Sequence, residues 1–487
     1  MRLSLLLDPE IELANADGAD PDIAGVTADS RAVAKGHLFA ALPGAKHDGK
    51  AFVGEALRKG AAAILAAPGL DLPKGVPYLA AGNPRRAFAR TAARFYGAQP
   101  ATIVAVTGTS GKTSVASFAR QIWATLGRKA ASLGTLGLVA PARTRYGSLT
   151  TPDPASLHKD LAELAAEGVE CVAMEASSHG LDQCRLDGVE LKAAAFTNFS
   201  RDHLDYHPDM AAYFAAKRRL FDALLPRGAV AVLNADIPEF EALKAACAAR
   251  GHRIATYGRK GEHLRLIAAQ PVPEGQNVEI EAYGVTQRFV LPLAGAFQTT
   301  NALAALGLVV GAGAAPLAAM NALAQLEGVP GRLERAGARK NGASVYVDYA
   351  HKPDALATVL AALRPHARGK LHVVLGCGGD RDPGKRPMMG KIAIEAADRV
   401  IVTDDNPRSE DPANIRAAIL AAAPGAIEIA PREAAIREAV AALQAGDVLA
   451  ICGKGHETGQ IVGRETLPFD DRIEARKAIA TADGDAA

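Results

Sequence analysis

The sequence predicts an α/β protein of three domains, on three observations. The chain has 487 residues, and at ~150 residues per domain that length calls for about three cores rather than one. Short apolar runs alternate with Ala-rich helical stretches, the pattern of parallel sheets covered on both faces. Breaks at Pro100 and in the turn-rich GVPGRLERAG (328–337) divide that alternation. The expected boundaries are 1–98 for a small N-terminal α/β domain, 99–332 for a central parallel-sheet domain and 333–487 for a C-terminal α/β domain.

In the first domain HLFAAL (37–42) is strand-like, and an Ala-rich segment near 53–66, ending in AAAILAA, is expected to be helical. Past Pro100, TIVAV (102–106) reads as a strand that passes through a glycine turn into a helix over 112–126. CVAME (171–175), AAAFTN (193–198) and AVAVLN (229–234) are further buried strands, and 264–295 reads as a β-rich insertion. The uncharged run ALAALGLVVGAGAAPLAAM (302–320) is long enough to span a bilayer. Its Ala/Gly composition and Pro316 favour two short buried helices instead. Beyond 337, SVYVDYA, KLHVVLG, DRVIVTDD and GDVLAICG alternate with Ala-rich helices as a second α/β unit.

Composition narrows the function classes. Hydrophobic residues make up 49% and charged residues 22%, which is ordinary for a globular protein. A net charge of +2 gives no case for a nucleic-acid surface, whereas a nucleotide or sugar phosphate remains a natural anionic partner. The five cysteines (171, 184, 247, 377 and 452) include no CxxC pair. Their odd number argues against a disulfide framework, and Cys171, Cys377 and Cys452 lie in apolar runs. They read as core residues in a reducing compartment. The apolar run of MRLSLLLDPEIEL is too short for a signal peptide, and no membrane insertion is expected.

Gly108-Thr109-Ser110-Gly111-Lys112-Thr113 is nearly a phosphate-binding P-loop, with Val106 where the usual pattern has glycine. Strand, glycine turn and helix N-terminus would present backbone N–H groups and a positive dipole end to a phosphate. Lys112 would add a point charge, and Thr113 a hydroxyl for Mg²⁺. Glu175 and His203 follow strands of the same sheet, at the edge where ligands of open parallel sheets gather. With Thr113 they form a candidate Mg²⁺ site.

Lys217, in YFAAKRRLF, reads by itself as a solvated helix lysine. GCGGDRDPGKRP (376–387) and TDDNPRSEDP (403–412) each follow a strand with a helix between them, so both loops should open on one sheet edge. Arg381 and Arg408 could then face one carboxylate, and Asp405 an ammonium. Composition alone allows these to be surface turns equally well. CGKGHE (452–457) carries no generic reading beyond a glycine turn with polar side chains.

Taken together, GTSGKTS, TTPDP, MEASSHGLDQ, FTNFSRDHLDYH, AAK, DYAHKPDAL, GCGGDRDPGKRP, DNPR and GKGHE occur in an order that resembles the Mur ligases along almost the whole chain. The resemblance is to the members that add diaminopimelate, and a shortened P-loop is normal among them. It implies a central P-loop ATPase domain, a Rossmann-like C-terminal domain and ATP-dependent amide ligation in peptidoglycan precursor synthesis.

Gly108, Thr109, Ser110, Gly111, Lys112, Thr113 and Ser114 then match the ATP phosphate loop, and Thr113, Glu175 and His203 the Mg²⁺ ligands. Lys217 matches a lysine carried as a carbamate, a change that turns a cation into an anionic oxygen ligand. Asn301, Arg332 and Asp348 match the rest of the nucleotide site. Thr150, Thr151, Ser177, Gln183 and Arg185 match contacts to the UDP-muramoyl-dipeptide. Ala28, Ser30 and the loop with Ala45, Lys46 and His47 match its uridine end. Arg381, Asp405, Asn406, Pro407, Arg408, Gly453 and Glu457 match the diaminopimelate site, and lysine-adding relatives lack the DNPR arginine.

The implied substrates are ATP, the UDP-linked muramoyl-dipeptide and meso-diaminopimelate, for a monomer in the bacterial cytoplasm. Two rival readings are a folylpolyglutamate synthetase, on a related P-loop core, and a nucleotide-binding regulator without turnover.

Overall fold

The computed structural model describes the chain except residues 10, 15–18, 45–47, 148, 273–274 and 485–487. Two compact units emerge: Met1–Arg265 with Leu303–Ala322, and Leu266–Ala302 with Leu323–Ala487.

The first unit holds two sheets. The smaller orders its strands Ile11–Ala14, Tyr78–Ala81, Ala63–Ala66, His37–Ala40, Gly25–Thr27. All neighbours run parallel except the first pair. The segment 53–66 is not one helix as expected. The helix covers Val53–Arg58 only, Gly60 (φ 89°) turns the chain, and Ala63–Ala66 is a strand buried at all four positions. Helix propensity of the alanines yields to burial on both faces of a parallel sheet. The following helix, Pro84–Tyr96, starts at Asn83, whose side chain accepts from Arg86 N, with proline in the first turn.

The larger sheet carries the candidate phosphate loop. Its parallel strands lie in the order Arg253–Gly258, Val230–Asn234, Leu191–Phe196, Thr102–Thr107, Cys171–Glu175, Ala130–Gly134. Thr102–Thr107 is therefore central, flanked by Leu191–Phe196 and Cys171–Glu175. Its residues 103–107 are buried, as a strand covered on both faces requires. The helix Lys112–Thr125 follows directly. The uncharged run 302–320 lies in two helices, Ala296–Gly311 and Pro316–Ala322, broken before Pro316. No helix among the described residues is long and apolar enough to cross a membrane.

In the second unit Gly275–Ala282 and Val285–Leu291 form an antiparallel hairpin inside the β-rich segment expected at 264–295. The C-terminal sheet has the order Glu334–Ala338, Ser344–Asp348, Val448–Cys452, Leu371–Leu375, Arg399–Val402, Ile427–Glu428. All pairs are parallel except the first. Leu371–Leu375 and Arg399–Val402 are neighbours with the helix Lys385–Ala396 between them in sequence, so the loops after both strands open on one edge, as expected. All five cysteines are buried and unpaired.

Candidate active site

In the first unit the P-loop is held in shape by the end of the neighbouring strand. Asn198 accepts from Thr109 N through its carbonyl (2.9 Å) and from Ser110 N through Oδ1 (2.9 Å). Thr197 Oγ1 donates to the Ser110 carbonyl at 2.7 Å. Gly108 (φ 142°) leaves no alternative residue, because a Cβ there would stand 1.9 Å from Thr197 Oγ1. Lys112 Nζ folds back on the Gly108 and Thr109 carbonyls, both at 2.9 Å. Ser114 is buried in the first turn of the helix.

Glu175 ends its strand 2% exposed. It accepts from Thr113 Oγ1 (3.1 Å), Thr135 N (2.7 Å) and Thr135 Oγ1 (3.2 Å). A buried carboxylate touching the P-loop threonine is a hard oxygen donor set, which fits Mg²⁺. His203 is not part of that contact. Its ring lies beside His179 (5.0 Å between centroids) and Tyr213 (6.0 Å). Among the described residues no three His, Cys, Asp or Glu side chains converge as a metal cage.

Lys217 is not a solvated lysine. It is 1% exposed, donates to the Gly108 carbonyl at 2.7 Å and lies over the Tyr213 ring. Burial, with Lys112 adding like-charge repulsion, pushes its pKa down to about 6. Helix periodicity around Lys217 could not reveal this, because its hydrogen-bond acceptor, the Gly108 carbonyl, follows a strand distant in the sequence.

Thr150, Thr151, Ser177, Gln183 and Arg185 form one network. Thr150 Oγ1 meets Thr135 Oγ1 at 3.2 Å. Thr151 Oγ1 donates to the Glu175 carbonyl (2.9 Å) and meets Ser177 Oγ (3.0 Å). Arg185 Nη1 donates to the Thr151 carbonyl and Nη2 to Gln183 Oε1, both at 2.7 Å. Gln183 Nε2 donates to Tyr206 Oη at 3.1 Å. Ala28 is exposed and Ser30 half-buried at a short 3₁₀ turn, while Ala45, Lys46 and His47 lie outside the described residues. Thr135, Asn198, Tyr206 and Tyr213 were missed in the sequence, where nothing distinguishes them from ordinary strand-end and helix residues.

In the second unit Asp348 ends its strand and accepts from Leu333 N (2.6 Å) and Ala350 N (2.8 Å). Burial pushes its pKa up to about 6, against the pull of Arg332. The Arg332 guanidinium lies 5.1 Å from the centre of the Tyr349 ring. Asn301 Nδ2 donates to Gln298 Oε1, and Gln298 Nε2 to the Arg332 carbonyl. Asn301, Arg332 and Asp348 thus belong to one connected group.

The DNPR loop is shaped by the loops around it. Arg408 has a left-handed backbone (φ 52°), bracketed by Arg408 N donating to the Ile461 carbonyl (3.0 Å) and Gly463 N to the Arg408 carbonyl (2.7 Å). Its Nη1 donates to the Gly379 carbonyl at 2.8 Å, tying it to the glycine loop of the neighbouring strand. Arg381 is exposed on that loop. Asp405 is buried; Oδ1 accepts from Asn406 N at 2.7 Å, whereas Oδ2 makes no hydrogen bond. Gly453 (φ 123°) lets this carboxylate approach, since a Cβ would stand 2.4 Å from Asp405 Oδ2. Pro407 is buried, and Asn406 Nδ2 donates to Glu457 Oε2 at 2.8 Å. Beneath these loops Arg432 pairs with Asp471, both side chains fully buried, and donates to the Asp404 and Cys452 carbonyls.

Family models match in three consecutive segments: the Mur ligase family catalytic domain over 22–96, the Mur ligase middle domain over 106–309 and the Mur ligase glutamate ligase domain over 331–455. The chain belongs to the Mur ligase family. The UDP-N-acetylmuramoyl-L-alanyl-D-glutamate–2,6-diaminopimelate ligase of Rhizobium meliloti is 57% identical over 463 residues, 95% of each chain. That of Caulobacter vibrioides is 56% identical over 95% of this chain and 97% of its own. A solved structure of a ligase with the same name is 33% identical, with a TM-score of 0.73, covering 94% of this chain and 95% of that one. The fold also extends to a Mycobacterium tuberculosis folylpolyglutamate synthase at 20% identity and a TM-score of 0.61, over 76% of this chain and 91% of that one. At that identity only the Mur ligase architecture is shared.

Proposed function

We propose that this Mur ligase joins meso-diaminopimelate to the D-glutamate γ-carboxylate of UDP-N-acetylmuramoyl-L-alanyl-D-glutamate, at the expense of ATP. The observation that carries the reading is the DNPR loop. Arg408 is locked in a strained backbone with its guanidinium on the Gly379 carbonyl, and Asp405 of the same loop has a buried carboxylate whose Oδ2 makes no hydrogen bond. A cation and an anion on one loop suit a substrate end carrying both a carboxylate and an ammonium. The diaminopimelate ligases of the relatives, more than half identical over nearly the full chain, support the same assignment.

The reaction is phosphoryl transfer followed by aminolysis. The substrate γ-carboxylate attacks the γ-phosphorus of ATP, forming an acyl phosphate and releasing ADP. The diaminopimelate amine then attacks the acyl carbon. The tetrahedral intermediate expels phosphate, and the amine loses a proton as the amide forms. The P-loop and Lys112 hold the β and γ phosphates, with Lys112 releasing the loop carbonyls it now occupies. Thr113, Glu175 and His203 would hold Mg²⁺, whose charge would neutralise the phosphates. Lys217, neutral above about pH 6, can add to CO₂ with loss of one proton. The resulting carbamate supplies anionic oxygens beside Gly108.

Thr150, Thr151, Ser177, Gln183 and Arg185 are assigned to the dipeptide, and Ala28, Ser30, Ala45, Lys46 and His47 to the uridine end. Asn301, Arg332 and Asp348 are assigned to the nucleotide. Arg381, Gly453 and Glu457 join the DNPR loop in the diamino acid site. The domain limits 1–98, 99–332 and 333–487, a cytoplasmic location and a monomeric state belong to the same proposal. Phosphate release tests it. Turnover should require the UDP-muramoyl-dipeptide and meso-diaminopimelate together. Equal rates with lysine or glutamate would reject the assignment.

A further inference from the structure

Lys454 stands out among residues not yet given a role. Its side chain is fully buried, in a turn between the strand Val448–Cys452 and the hairpin Gly459–Val462 with Glu465–Pro468. A buried ammonium needs every proton satisfied. Nζ donates to Asn406 Oδ1 (3.0 Å), Glu457 Oε2 (3.0 Å) and the Gly459 carbonyl (2.6 Å). Two of those acceptors are the side chains assigned to the diamino acid.

Asn406 and Glu457 are also bonded to each other, through Asn406 Nδ2 and Glu457 Oε2 at 2.8 Å. Asn406 Oδ1 takes a second bond from Ile461 N at 2.9 Å. Its amide orientation is therefore fixed at both ends: oxygen to Lys454 and Ile461, nitrogen to Glu457. Glu457 has one oxygen engaged by Lys454 and Asn406, and its side chain is 32% exposed. The same hairpin, through Ile461 and Gly463, sets the Arg408 backbone.

We infer that Lys454 is a positioning residue for diamino acid selection, acting through Asn406 and Glu457 without touching the substrate. The inference rests on the proposed function. Its cation fixes the Glu457 carboxylate so that the exposed oxygen can accept the substrate ammonium. It also draws the hairpin carbonyl of Gly459 onto the same point, which holds the Arg408 loop in register.

The test is steady-state phosphate release with each substrate varied in turn, on the wild type, Lys454→Met, Glu457→Gln and the double variant. Wild-type dependence on meso-diaminopimelate is the check on the proposed function; its absence would reject that reading first. Given that dependence, Lys454→Met should raise KM for diaminopimelate by roughly tenfold or more, as expected when Asn406 and Glu457 lose the charged donor that orients them both. KM for ATP and for the dipeptide should stay within about twofold. The double variant should be no worse than the more impaired of the two single variants, because both changes act on one contact.

Equal losses for all three substrates, or additive losses in the double variant, would overturn the inference in favour of a general structural role. If Lys454→Met does not fold, Lys454→Arg keeps the charge at an altered reach, and its defect must again fall on diaminopimelate KM. Failure of both variants to fold would likewise overturn it.

Discussion

Lys217 and Lys112 share one acceptor: both ammonium groups point at the Gly108 carbonyl, from 2.7 and 2.9 Å. Burial disfavours a charged amine, the neighbouring cation adds like-charge repulsion, and the more buried of the two gives up its proton. That is Lys217, pushed down to about 6. A neutral amine is the form that reacts with CO₂. Lys217→Ala should cost roughly a thousandfold in turnover, about the ~4 kcal/mol of one preorganised charge-stabilising group. Excess short-chain carboxylic acid should restore part of it. Lys217→Arg, which stays protonated, should be as inactive as Lys217→Ala in bicarbonate-saturated buffer. Wild-type-like turnover in either variant would end the carbamate assignment.

Glu175 is the buried carboxylate that touches the P-loop threonine. Glu175→Gln keeps the shape and removes the charge. The Mg²⁺ concentration for half-maximal turnover should rise by at least 10–100-fold, on the order seen when metal-site partners are lost. An unchanged Mg²⁺ titration would move the metal elsewhere.

The parallel sheets and the loop edges were legible in the sequence because fully buried strands such as Cys171–Glu175 read as continuous apolar runs. The segment 53–66 was not, because AAAILAA has the same composition in a helix and in a strand buried on both faces. The setting of Lys217 was invisible for a different reason: its acceptor, the Gly108 carbonyl, lies more than a hundred positions away in the chain. The DNPR loop was legible as a motif. The hairpin that fixes its backbone was not, since Gly459–Val462 and Glu465–Pro468 have no signal beyond alternation and a glycine turn.

His158 gives a pH prediction with a definite sign. It is buried, its Nε2 meets the Asp187 carbonyl at 3.1 Å, and burial lowers its pKa from 6.5 to about 4. The folded value lies below the unfolded one, so the unfolded chain binds the extra proton between them. Stability is then full above about pH 6.5 and falls as pH drops towards 4, by up to roughly 3 kcal/mol from this group. Asp348, raised to about 6, acts in the opposite direction over much of that range. The readout must therefore be a difference. His158→Gln should show a smaller acid-induced drop in unfolding midpoint between pH 6.5 and 4 than the wild type. Identical drops would show that His158 does not set the acid response.

The proposed function assigns the choice of amino acid to Arg408. Its backbone is held left-handed by Ile461 and Gly463, and its Nη1 is anchored on the Gly379 carbonyl. Under that assignment the guanidinium pairs with a carboxylate that lysine does not have. Lysine would leave it unpaired, so the wild type should discriminate strongly against lysine. Arg408→Ala should raise KM for diaminopimelate about a hundredfold, the ~3 kcal/mol of a charge-assisted hydrogen bond. ATP binding should change little, and the preference over lysine should shrink, because the penalty for the missing carboxylate disappears with the arginine. Competition between the two amino acids in one assay measures that ratio directly. A variant that binds diaminopimelate with unchanged affinity, or keeps the full preference over lysine, would remove Arg408 from the site and leave Arg381 to be tested in its place.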